Sequence, residues 1–166
     1  MAGENYTYSG ADVRIRVGTT AIPCEGGVEP PKETIKTETI RALGDQVARV
    51  RTVGVLEMGD ASITLSAAVF AARLLPMVPI NGWSLFEFVV TVSHQHPLLG
   101  TPYLQVWDQC RFTGIEPDNI EPSEKALMIK LPISTIQVFH KGVDGIRKSL
   151  ARNPILPTPA AAAFLL

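Results

Sequence analysis

Three runs in the second half of the chain alternate apolar and polar residues, and a helix cannot accommodate that pattern. "LFEFVVTVS" puts Phe86, Phe88, Val90 and Val92 on one face. "TPYLQVWDQCRFTGI" puts Leu104, Val106, Cys110 and Phe112 on one face, with Tyr103 and Trp107 opposite. "KALMIKLPIS" carries Leu127, Ile129, Leu131 and Ile133 in register, and "TIQVFHKG" adds a short last strand ending at Gly142. Earlier, "DVRIRVG" turns Val13, Ile15 and Val17 one way and Asp12, Arg14 and Arg16 the other. "DASITLSA" alternates with Ile63 and Leu65 on one face. These runs predict a mainly β protein: two packed antiparallel sheets, as a sandwich or barrel, with one flanking α-helix. That helix is "SAAVFAARLLP", with Ser66 as N-cap, a stripe of Val69, Phe70, Arg73 and Leu74, and Pro76 as its stop.

Several strands are apolar on both faces. Tyr103 and Trp107 oppose Leu104 and Val106, and Leu85 and Val89 oppose Phe86, Phe88 and Val90. The 166 residues suit a single domain with one core. The second face therefore needs another cover. Either the helix and loops of the chain cover all of it, or, since one helix supplies only part, an identical subunit supplies the rest.

The least regular segment is "RALGDQVARVRTVGVLEMGD", residues 41–60. Leu43, Val47, Val50, Val53, Val55 and Leu56 hold neither a helical nor a strand period for long, and Gly44, Gly54 and Gly59 punctuate them. Before it, "ETIKTETIRAL" is strand-like in content, yet Ile35 and Ile40 have opposite parity. Either a bulge lies between them or the strand changes environment. "TTAIPCEGGVEPPK" reads as a Gly/Pro-rich connection. Residues 1–11 read as an N-terminal arm, 1–150 as one domain, and 151–166, "NPILPTPAAAAFLL" with its flank, as a Pro/Ala-rich tail. The tail is either a disordered end or a segment whose Phe164, Leu165 and Leu166 dock on a neighbour.

The formal net charge of −1 gives no argument for a free-standing nucleic-acid binder. The start "MAGENYTYSG" lacks a basic region and an apolar run, so a protein made in a cytoplasm is expected. The most apolar stretch, Ala67–Ile80, is broken by Arg73, Pro76 and Pro79, so no membrane span is expected.

Catalytic signals are weak. His94 and His96 sit at i, i+2, with His140 the only other histidine, and a catalytic zinc usually needs a third ligand. Glu116, Asp118, Glu121 and Glu124 cluster around prolines in a turn, which favours a solvated loop over a cation site. No nucleophile elbow, dinucleotide fingerprint or phosphate loop occurs. No enzymatic activity and no cofactor are expected. Cys24 and Cys110 read as two reduced thiols or as a late disulfide between subunits.

The order of elements resembles phage tail tube proteins, the family related by fold to the inner tube proteins of contractile injection systems. The carrying stretches are "YSGADVRIRVGTTAI", "GGVEPPKETIKTETIRALGD", "QVARVRTVGVLEMGDASITL" and "KALMIKLPISTIQVFHKGVDG", and the resemblance covers about residues 8–145, most of the chain. The resemblance implies hexameric rings, stacked into a tube whose inner barrel passes the genome. It implies a virion tail protein whose partners are itself, tail sheath, tape-measure, baseplate and terminator proteins, and DNA in transit. It casts residues 43–60 as an inter-ring loop, with Leu43, Asp45, Val47, Arg49, Arg51, Val53, Val55, Leu56 and Glu57 at the stacking contact. Lys36 and Glu38 become lumen candidates. Two other readings stand beside it: an inner tube protein of a secretion or injection system, and a small β-barrel metal or ligand binder.

Overall fold

The computed structural model describes residues 13–23, 25–40, 43–44, 50–51, 54–83, 85–95, 102–118, 125–142, 144–151 and 154–166. In it, β1 (Val13–Val17) turns through Gly18 and Thr19 into β2 (Thr20–Ile22). Gly18 has φ +58, which a two-residue hairpin turn requires. The Gly/Pro-rich connection thus contains a strand, and a second short one, β3 (Val28–Glu29).

Next come β4 (Glu33–Lys36), β5 (Thr39–Ile40), β6 (Val50–Arg51), β7 (Val55–Met58) and β8 (Ala61–Ser66). The helical segment is α1 (Ala67–Val69), a π-turn over Phe70–Leu74 and a 3-10 turn over Leu75–Met77. Ser66 caps it, its hydroxyl accepting from the Val69 amide at 3.4 Å. Strands β9 (Phe88–His94), β10 (Tyr103–Phe112), β11 (Glu116–Pro117), β12 (Met128–Ser134), β13 (Gln137–Lys141) and β14 (Arg147–Lys148) follow, then α2 (Pro159–Leu165).

The first sheet runs β2–β1–β9–β10–β13–β14 and the second β3–β8–β12, all antiparallel. Strand β10 belongs to both. Its residues 104–108 pair with β13, and Arg111 and Phe112 pair with β12. Between the sheets, Ile15, Val17, Val90, Val92, Trp107 and Val138 meet Ile63, Leu65, Leu131, Ile133, Cys110 and Phe112, and Phe70 and Leu74 close one side.

A bulge in β10 changes the expected faces. Trp107 pairs with Val90 but Cys110 pairs with Phe88, so Asp108 and Gln109 together oppose Val89. Gln109 takes φ +53 to make the corner. Trp107 consequently joins Cys110 and Phe112 in the main core rather than opposing them. Leu104 and Val106 point the other way, into a second cluster with Val89 and Phe139.

The tail fills that second cluster. Ala161 and Leu165 of α2 are buried in it and Phe164 packs beside them. So this apolar face is covered by the chain's own C-terminal helix, a second helix that the alanine run concealed. Polar contacts hold it. The Asp108 carboxylate accepts from the Thr158 amide (2.9 Å) and hydroxyl (2.6 Å), and Gln137 exchanges two bonds with the Ile155 backbone (2.8 and 2.9 Å).

The described residues between 33 and 58 pair as a hairpin of two antiparallel ladders, β4 with β7 and β5 with β6, rather than as a strand followed by a loop. Ile35 and Ile40, the residues of opposite parity, sit in separate ladders and both are exposed. Lys36 pairs with Val55 and Thr39 with Arg51, three positions apart on the outgoing side and four on the returning side, so the extra residue falls on the returning side. Gly54 sits there at φ +78, and a Cβ would lie 2.8 Å from the Lys36 carbonyl oxygen. Gly54→Ala should destabilise the hairpin by about 1–3 kcal/mol. Amide exchange should rise in β4 and β7 while β9 and β12 keep their protection.

Candidate functional site

The hairpin is an arm that leaves several apolar side chains in water, although Leu56 is half-buried and Met58 packs against the main core. Leu43 is fully exposed, Val55 is 70% exposed, Ile40 56% and Ile35 46%. Directly opposed residues share a face, so Ile35 lies with Leu56 on one face and Val55 with Lys36 on the other. Apolar groups on both faces of a two-stranded ribbon are costly in water and mark a contact surface. On the outer face Lys36 pairs with Glu57 at 2.6 Å, both side chains more than half exposed. Such a pair contributes at most about 1 kcal/mol.

The root of the arm is fastened to the first sheet by a hydrogen-bond chain. Glu33 Oε2 lies 2.6 Å from His140 Nε2, and His140 Nδ1 lies 2.7 Å from the Tyr103 hydroxyl. Gln105 Nε2 donates to that hydroxyl at 3.0 Å, and the Trp107 indole N–H donates to Gln105 Oε1 at 3.2 Å. The pleat brings these groups together: Gln105 is paired with His140, and Tyr103, Gln105 and Trp107 alternate onto the same face. His94 stacks on Tyr103 with ring centroids 5.4 Å apart. Burial lowers the His94 pKa, because it disfavours the charged ring, and the same effect raises that of Tyr103. The Glu33 side chain is only 9% exposed.

The sequence-derived candidates fall as follows. Leu43, Val55, Leu56 and Glu57 lie on the arm, Arg51 lies in β6, and Asp45, Val47, Arg49 and Val53 lie outside the described residues. Lys36 and Glu38 are also on the arm and exposed. Cys110 is wholly buried, and its thiol donates to the Trp107 carbonyl at 3.2 Å. Burial pushes that thiol up to about 12. It is therefore not presented to another chain, and an inter-subunit bridge has no support from its side; Cys24 lies outside the described residues. His94 is in β9, His96 lies outside the described residues, and His140 is engaged by Glu33. Glu116 and Asp118 are exposed, while Glu121 and Glu124 lie outside the described residues. Among the described residues no group of three or more His, Cys, Asp or Glu could hold a metal.

No protein-family model matches the chain, and no curated protein matches it. Solved structures do. The sheath/tube terminator of PVC, an extracellular contractile injection system, in its extended state, aligns with a TM-score of 0.67 at 14% identity. That alignment covers 84% of this chain and 99% of that one. The PVC sheath–tube complex in its extended state gives 0.64 at 12% identity, over 89% and 95% of the two chains. The tube-terminating cap of the anti-feeding prophage gives 0.62 at 10% identity, over 82% and 91%. The fold is tail-tube-like. The likeness includes nearly the whole length of each compared chain, so the tail-tube-like body is not a fragment of a larger unit in those proteins. At these identities it is the architecture that is shared.

Proposed function

We propose that this protein is a structural, non-catalytic subunit that assembles with copies of itself into the rings of a tail tube or tube terminator. The observation that carries the reading is the arm: a tail-tube-like body extends a hairpin with Ile35, Ile40, Leu43 and Val55 in water. A second copy is the natural cover for such a surface. In this reading the rings are hexameric and stack through the arm. The channel conducts a phage genome, and sheath, tape-measure, baseplate and terminator proteins are the further partners. The same body would serve an extracellular injection system equally, and two of the solved structures that share its fold come from such a system.

The test is assembly. Negative-stain microscopy of the purified protein should show rings or stacked tubes with a central hole. Ile35→Asp combined with Val55→Asp should keep the thermal midpoint of the body, since exposed positions change stability by about 0.5 kcal/mol or less. The stacks should be gone. Tubes of normal length from that variant would remove the arm from the contact, and wild-type protein that stays monomeric at high concentration would count against the whole reading.

A further inference from the structure

A groove of about 390 Å³ lies where β1, β2 and the helical segment meet, and three arginines line it: Arg14, Arg16 and Arg73. Arg14 and Arg16 are successive outward residues of β1, opposite Ser93 and Thr91 of β9, and both are exposed. Arg73 is held at the rim, its guanidinium donating to the Ala21 carbonyl at 2.8 Å. Among the described residues none of the three has a carboxylate partner. Three like charges around one concavity repel one another, and an anion seated there relieves that repulsion.

With a net charge of −1, the chain must carry the balancing acid elsewhere. One concentration is at β11, where Glu116 and Asp118 are exposed and the stretch 116–124 contains no Lys or Arg. The cross-strand neighbour of Glu116 is Lys130, but the Lys130 ammonium reaches Glu29 instead, at 3.4 Å. In the sheet order β9 and β10 lie between β1 and the β11–β12 pair. The basic groove and the acidic end of β11 are therefore different patches of one subunit. A contact between two different patches is heterologous, the kind that generates rings when its rotation closes.

We infer that the Arg14–Arg16–Arg73 groove receives the acidic end of β11, Glu116 and Asp118, of a second copy of this chain. This rests on the ring-forming reading and names the contact between neighbours within a ring, distinct from the arm.

The experiment uses the full chain in sedimentation velocity at about 0.05 M and about 0.5 M salt. The variants are R14E/R16E, E116K/D118K and the four combined. Each reversal alone should weaken association at least tenfold at low salt, and the combination should restore it, as expected for a directly coupled pair. R14Q/R16Q removes the charge without reversing it and guards against misfolding. A labelled peptide of residues 114–126 is titrated onto whichever species is monomeric.

Rings that ignore the reversals, or a combination that fails to recover, would overturn the groove contact and leave the tube reading standing. A monomeric wild type that binds the peptide through Arg14 and Arg16 would keep the groove contact and remove the tube. A monomer that ignores the peptide removes both. Preference of the same arginines for a DNA duplex over the peptide would also overturn the proposal.

Discussion

Deleting residues 154–166 is expected to cost about 5 kcal/mol and to make the protein aggregate. Burial of Leu165 is worth about 2 kcal/mol, and Ala161 and Phe164 add to it. The truncation would also strip the Thr158 donors from Asp108, which is 2% exposed. The Gln109 amide still donates to that carboxylate and water reaches it once the tail is gone, so the loss is that of hydrogen bonds to a charged group, about 3 kcal/mol for the pair. Against a total stability of about 5–15 kcal/mol, that is a large share. The exposed remainder would be Val89, Leu104, Val106 and Phe139, an apolar strip on a sheet. Urea unfolding of the truncated and full chains measures the difference. Thr158→Val, which keeps the amide donor and loses the hydroxyl, should recover most of the stability. A truncated chain as stable as the full one would mean that the tail is the loose end its composition suggests.

Trp107→Ala should be the most damaging single change. The side chain is fully buried between the sheets, and such truncations cost about 3–5 kcal/mol. It has a second effect that other core residues lack. The Trp107 indole donates to Gln105, the start of the chain that ends on Glu33 at the arm root. Trp107→Phe fills most of the volume but deletes that donor. It should cost less overall yet still speed amide exchange at Glu33 and Thr34. If the phenylalanine variant leaves exchange in the arm unchanged, the hydrogen-bond chain does not fasten the arm.

The strands were legible because their periodicity is set by one buried face: Ile15 and Val17 in β1, Ile63 and Leu65 in β8, and Ile129, Leu131 and Ile133 in β12 are all buried as alternation predicts. The faces of β10 were not. Period two carries no mark of an inserted residue, and Gln109 is not a residue that announces a left-handed corner. The apolar surplus on the second face was visible, but its cover was misplaced. "PAAAAFLL" has too few large side chains to show a helical stripe, while Thr158 as N-cap and Pro159 as first residue were the available signals. The arm was half legible. The parity clash of Ile35 and Ile40 was visible, but the extra residue lies on the returning side near Gly54, which alternation in the outgoing strand cannot register. The Glu33–His140 contact left no sequence signal, since 107 residues separate the partners.

The sharing of β10 between both sheets has a mechanical consequence. A strand hydrogen-bonded into two sheets cannot be peeled from one without also breaking into the other. Load applied along it is borne by many bonds in parallel, as shear, rather than bond by bond, as in unzipping. The arm lacks that arrangement among the described residues: its ladders, β4–β7 and β5–β6, join neither sheet, and Glu33 ties its root to His140. Under tension or torsion along an assembly of such subunits, the bodies would behave as stiff blocks. The arms would be the compliant joints where bending concentrates.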